Sequence, residues 1–101
     1  MAVATIKLVQ NESMFKFYFA TNPETLAQEF LAQGLYKEVP AFEVDGEGNA
    51  AAEEVFDLTN NPNRQEEREM VYGRGRSVSV GDIVNVDGVN YLCASIGWIV
   101  I

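Results

Sequence analysis

The sequence contains no histidine. That removes the usual general base near neutral pH, and with it every His-dependent triad or zinc site. Cysteine occurs once, at Cys93, so no internal disulfide can form and the chain suits a reducing compartment. With no histidine to pair with, that thiol reads as a small buried hydrophobe rather than a nucleophile. Cations are scarce: seven Lys and Arg against fifteen Asp and Glu leave a formal charge of −8. Such a balance repels a phosphate backbone, which disfavours generic nucleic-acid binding. No apolar run approaches the length of a membrane span, and no basic leader precedes an apolar core and cleavage site. The expected setting is therefore the cytoplasm, with no membrane contact. Ser77, Ser79 and Ser95 lack a G-x-S-x-G context. "GRGRSVSVG" lacks the Gly-Lys-Ser/Thr ending and following helix of a phosphate-binding loop. Neither a catalytic residue nor a cofactor nor a metal is expected.

What is present is ordinary globular material. The 101 residues are 48% hydrophobic and 22% charged, which suits one domain spanning 1–101 with a real core. "AVATIKLV" (2–9) reads as a strand with Ala4, Ile6 and Leu8 on one side. "MFKFYFAT" (14–21) alternates Phe15, Phe17 and Phe19 with other residues and predicts a second strand, paired with the first as a hairpin. "TNPETLAQEFLAQG" carries the clearest helix signal, with Asn22 as cap, Pro23 at the first position and Gly34 as terminator. "LYKEVPAFEV" (35–44) predicts a strand that Pro40 confines to an edge or a bulge. "AAAEEVFDLTNN" (50–61) predicts a short helix, and 64–70 a polar helical turn before a Gly-rich loop.

The last quarter is nearly uncharged. Asp87-Gly88 between β-branched runs predicts a tight hairpin in which Val86 faces Val89, Asn85 faces Asn90, Val84 faces Tyr91 and Ile83 faces Leu92. "WIVI" (98–101), apolar on both faces, predicts a final strand interior to the sheet. The expected architecture is α+β: a small mixed, mainly antiparallel sheet with two short helices, its C-terminal hairpin and final strand in the core.

Charge is unevenly distributed. Three lysines face ten acids in 1–57, and four arginines face five acids in 58–101. Seven acids, Glu38, Glu43, Asp45, Glu47, Glu53, Glu54 and Asp57, occur between 38 and 57 with no basic residue among them. They form the candidate surface for docking a basic protein partner, although such runs are more often solvated faces that keep a small domain soluble. An EF-hand reading of "DGEGNAAAEE" fails because Ala50 and Phe56 stand where Gly and a bidentate Glu belong. Arg64, Arg68, Arg74 and Arg76, with Tyr72 as a stacking residue, form the alternative site, an anion, partner or nucleic-acid loop. Glu66, Glu67 and Glu69 lie among them, which favours internal ion pairing. A carboxylate-dependent hydrolase is the weakest reading, because acids are too plentiful for any pair to stand out. Self-association through the Pro40 edge or the last strand is compatible with each of these.

From Ala52 onward the chain resembles the YodL-like domain family of bacteria and their mobile elements. Glu53, Phe56, Asn61 and Pro62 match a short helix motif. Gly75, Ser77, Ser79, Asp82 and Val84 match "G-x-S-x-S-x-x-D-x-V", and Tyr91, Ser95, Gly97 and Trp98 match the closing pattern. Two departures are Gly81, where the pattern carries serine, and the charged insert 64–69. The resemblance implies a fold and a phage or plasmid setting, without a catalytic residue. Ser and Asp at a strand entry commonly bond local backbone, so Ser77, Ser79 and Asp82 are expected to form a turn network anchoring the loop to the hairpin, the alternative being a polar binding spot.

Overall fold

The computed structural model describes residues 1–73 and 75–101. It is an α+β fold built on one antiparallel sheet. Strand β1 (Ala2–Val9) is followed by helices α1 (Met14–Tyr18) and α2 (Pro23–Ala32). Short strands β2 (Tyr36–Glu38) and β3 (Phe42–Val44) then lead to helices α3 (Gly48–Asn60) and α4 (Gln65–Val71). The chain closes with β4 (Ile83–Val86), β5 (Val89–Cys93) and β6 (Trp98–Val100). The strand order is β2-β1-β4-β5-β6, with β3 also paired to β1, and every pairing is antiparallel.

The hairpin forms in the expected register, Ile83 opposite Leu92 and Val86 opposite Val89. Both turn residues take the positive φ that a two-residue loop demands, 49° at Asp87 and 92° at Gly88. Its alternating side chains separate into two cores. Val84, Val86 and Tyr91 join Ala4, Ile6, Leu8 and the Ala51, Ala52 and Val55 face of α3. Ile83 and Leu92 point the other way, into a second cluster with Val9, Phe17, Ala27 and Phe30.

β2 and β3 act as one interrupted edge strand. Lys7 faces Glu38 and Val3 faces Glu43, both on the same edge of β1, and the Val39 N–H donates to Ile6 O at 2.8 Å between them. Pro40 sits in the break, where no ladder N–H is needed. Because Val3 and Lys7 share a face of β1, the break returns Glu38 and Glu43 to one face despite their odd spacing.

Three expectations are corrected. "MFKFYFAT" is no strand: residues 14–18 form α1, and no hairpin joins them to β1. One edge of β1 is filled by β2 and β3 and the other by β4, so no edge is left for it. Instead Phe17 turns inward, edge-on to Phe30 with ring centroids 5.5 Å apart, while Phe15, Tyr18 and Phe19 face solvent. In place of two short helices, the described residues form four α-helices. The last strand is not interior: β6 pairs only with β5, is half-buried at Trp98 and Ile99, and is exposed at Val100.

α2 starts at Pro23 as expected, but the Asn22 side chain makes no cap bond; its carbonyl accepts from Thr25 and Leu26 N–H instead. At the other end, Gly34 N–H donates to Leu31 O and Leu35 N–H to Phe30 O, the paired bonds of a Schellman ending.

Candidate partner-binding surface

The arginine segment is held from inside. Arg64 sits among three carboxylates, with 2.8 Å contacts to Glu54, Asp57 and Glu67. These hydrogen bonds hold its guanidinium pKa above the ordinary arginine value, and Arg64 in turn lowers that of Glu67. Arg68 stacks on the Tyr72 ring, 5.3 Å from its centroid, and donates to Gly75 O; its Nε finds no acceptor among the described residues. Arg76 clasps Asp82 with two bonds, Nη1 to Oδ2 at 2.7 Å and Nη2 to Oδ1 at 2.8 Å, and Nη2 also reaches Val9 O at 2.6 Å. Tyr72 itself is buried and donates through its hydroxyl to Arg76 O. Arg74 lies outside the described residues.

Asp82 is the hub of this arrangement. It is fully buried, and its carboxylate also accepts from Val9 N–H and Ser79 N–H, each at 2.8 Å. Ser77 Oγ donates to Thr59 O, and Thr59 Oγ1 accepts from Val78 N–H at 3.1 Å. Asn60 adds a bond from its amide to Val78 O at 2.9 Å. Residues 76–82 are thereby stitched to the end of α3 on one side and to β1 on the other. Ser77 through its hydroxyl, Ser79 through its backbone N–H and Asp82 through its carboxylate anchor this segment.

The seven acids do not share one place. Glu38 and Glu43 emerge from the sheet face opposite α3, at the β2–β3 edge. Asp45 and Glu47 are exposed in the turn before α3. Glu54 and Asp57 lie on one flank of α3 and are tied to Arg64. Glu53 lies on the other flank and accepts from Trp98 Nε1 at 2.6 Å. Among the described residues, Glu38, Glu43, Asp45, Glu47 and Glu53 have no cationic partner within 4 Å, whereas Glu54 and Asp57 do.

Two depressions accompany these acids. One, of about 290 Å³, lies where the end of β3 meets α3 and α4 and is lined by Val44, Asp45, Glu54, Leu58, Glu67 and Val71 among others. The other, of about 180 Å³, opens between α3 and the β5–β6 turn and is lined by Glu53, Phe56, Cys93, Ser95, Gly97 and Trp98. Phe56 meets Trp98 edge-on at 6.3 Å. Burial, helped by the charges of Asp82 and Glu53, pushes the Cys93 thiol up to about 12, so it stays protonated and unreactive at neutral pH.

No family model, curated protein or solved structure matches this chain. Among the described residues, no three metal-ligating side chains converge, and no helix is long and apolar enough to cross a membrane.

Sequence reasoning missed the Glu53–Trp98 cleft, because it placed "WIVI" inside the sheet. It also missed the exposed aromatics of α1, hidden by their strand-like alternation.

Proposed function

We propose that this chain is a small non-catalytic protein-interaction domain that docks a basic surface of a partner protein through its uncompensated carboxylates. The observation that carries this reading is the asymmetry of free charge. The guanidiniums of Arg64 and Arg76 are already held by internal carboxylates, while Glu38, Glu43, Asp45, Glu47 and Glu53 have no such partner among the described residues. Complementary fields of this kind raise association rate and select against acidic partners. The engagement of Arg64 and Arg76 weakens the nucleic-acid reading, which needs those guanidiniums free to meet phosphate. A cytoplasmic setting, and an origin in a phage or mobile element, fit the single cysteine and the resemblance to YodL-like domains.

Affinity capture from lysate with the wild type and with a combined Glu38→Gln, Glu43→Gln, Asp45→Asn, Glu47→Gln, Glu53→Gln variant tests this. A partner that is retained at low salt, released at high salt and lost in the variant is expected. A partner indifferent to both changes contradicts the reading.

A further inference from the structure

We infer that the free edge of β6, with the Glu53–Trp98 cleft beside it, receives an extended basic segment of the partner as an added strand. This rests on the acidic-docking reading and names the place and chemistry of contact.

The two edges of the sheet are built differently. The β2–β3 edge carries Lys37, Glu38, Pro40 and Glu43, the charges and proline that discourage strand addition. The β6 edge carries nothing of the kind: 94–101 is uncharged and free of proline, with Ile96 93% and Val100 62% exposed. A short edge without charge or proline, in a chain that places both at its other edge, leaves the backbone of 98–100 accessible for pairing.

The hydrogen-bond phase shows which groups are on offer. Ile101 N–H donates to Asn90 O and Ala94 N–H to Gly97 O, each at 3.0 Å, and Leu92 faces Ile99. In an antiparallel ladder these are the bonded pairs, so the N–H and C=O groups of Trp98 and Val100 point away from β5. An incoming antiparallel strand bonds there, and its residue opposite Trp98 projects on the Trp98 side of the sheet. That side holds the cleft. Glu53 carries one bond from the indole and no cation among the described residues. An Arg or Lys at that position lies along Trp98 and Phe56 and brings its charge to the Glu53 carboxylate. A second copy of this chain fits less well, since its own β6 supplies no cation and its charge is again −8.

The test is an amide-shift titration of the isotope-labelled protein with a short peptide of alternating threonine and valine bearing one central arginine. A second peptide carries glutamate in its place. The expected result is saturable shifts at the Trp98 and Val100 amides and the Trp98 indole, with the glutamate peptide about 10-fold weaker. Glu53→Gln erases most of that preference. Val100→Pro removes an outward N–H while sparing the bonds to β5, so the β1 and β4 amides keep their positions and binding is lost. Unmoved Trp98 and Val100 amides at roughly millimolar peptide overturn the inference, as does undiminished binding by Val100→Pro. Shifts confined to Glu38, Glu43 and Asp45 also overturn it but leave the acidic-docking reading standing. Failure of that reading shows separately, as lysate capture insensitive to salt and carboxylate changes.

Discussion

At Asp82 a fully buried carboxylate meets four donors: two from Arg76 and the backbone N–H groups of Val9 and Ser79. A charge in that position is tolerated because every direction around it is answered. Asp82→Ala leaves two backbone donors without acceptors and a partly covered guanidinium without its counter-ion. The expected cost is roughly 3 kcal/mol, seen as a lower urea midpoint with unchanged slope. Cys93 gives a second residue-scale prediction. Its folded pKa of about 12 stands above the ordinary 9.0, so the native state holds the proton longer than the unfolded chain does. Its contribution is complete below about pH 9 and is lost as pH rises towards 12. Tyr36 and Tyr72, both raised mainly by burial, act in the same direction. Urea midpoints measured from pH 8 upward should therefore fall, and Cys93→Ala should flatten part of that fall. Thiol labelling at pH 8 should be slow until denaturant is added.

At the scale of elements, α1 is fixed to the sheet through one close approach. Phe17 lies over Gly81, where an added Cβ would stand 2.6 Å from its ring and the backbone φ is +95°. Gly81→Ala therefore combines backbone strain with overpacking, and the expected loss is about 3 kcal/mol in chemical unfolding. Glycine is the residue this packing accepts, because a side chain there would displace Phe17. The hairpin from Ile83 to Cys93 was legible in the sequence down to its register, because Asp87-Gly88 sets the turn locally and period-two alternation sets the faces. The edge position of the Pro40 segment was legible for a similar reason, as a missing N–H is a local fact, but its division into β2 and β3 was not. "MFKFYFAT" was not. Its alternation is compatible with a strand, and only the occupation of both β1 edges by distant segments sends it into a helix. The position of β6 was hidden in the same way, since hydropathy does not say how many neighbours a strand has. As for the candidate surface, the sequence supplied the acids but not their separation by α3, nor the cleft that joins Glu53 to Trp98.

At the scale of the molecule, charge and apolar surface act against each other. Phe19, which follows α1, is 84% exposed, and Phe15 and Tyr18 of α1 are exposed beside it in sequence, aromatic surface of a kind that can mediate contacts. The net charge of −8 opposes association between copies. Light scattering at low salt should therefore report a monomer. Association that grows as salt is raised would assign the α1 aromatics a role in self-contact once repulsion is screened. The central claim is that binding belongs to the exposed carboxylates and the β6 edge, while the arginine segment serves the fold. Hydrogen–deuterium exchange of the chain alone and with its captured partner tests it most directly. The account predicts slower exchange at 36–54 and 94–101 on binding. Slowing confined to 64–77 would contradict it.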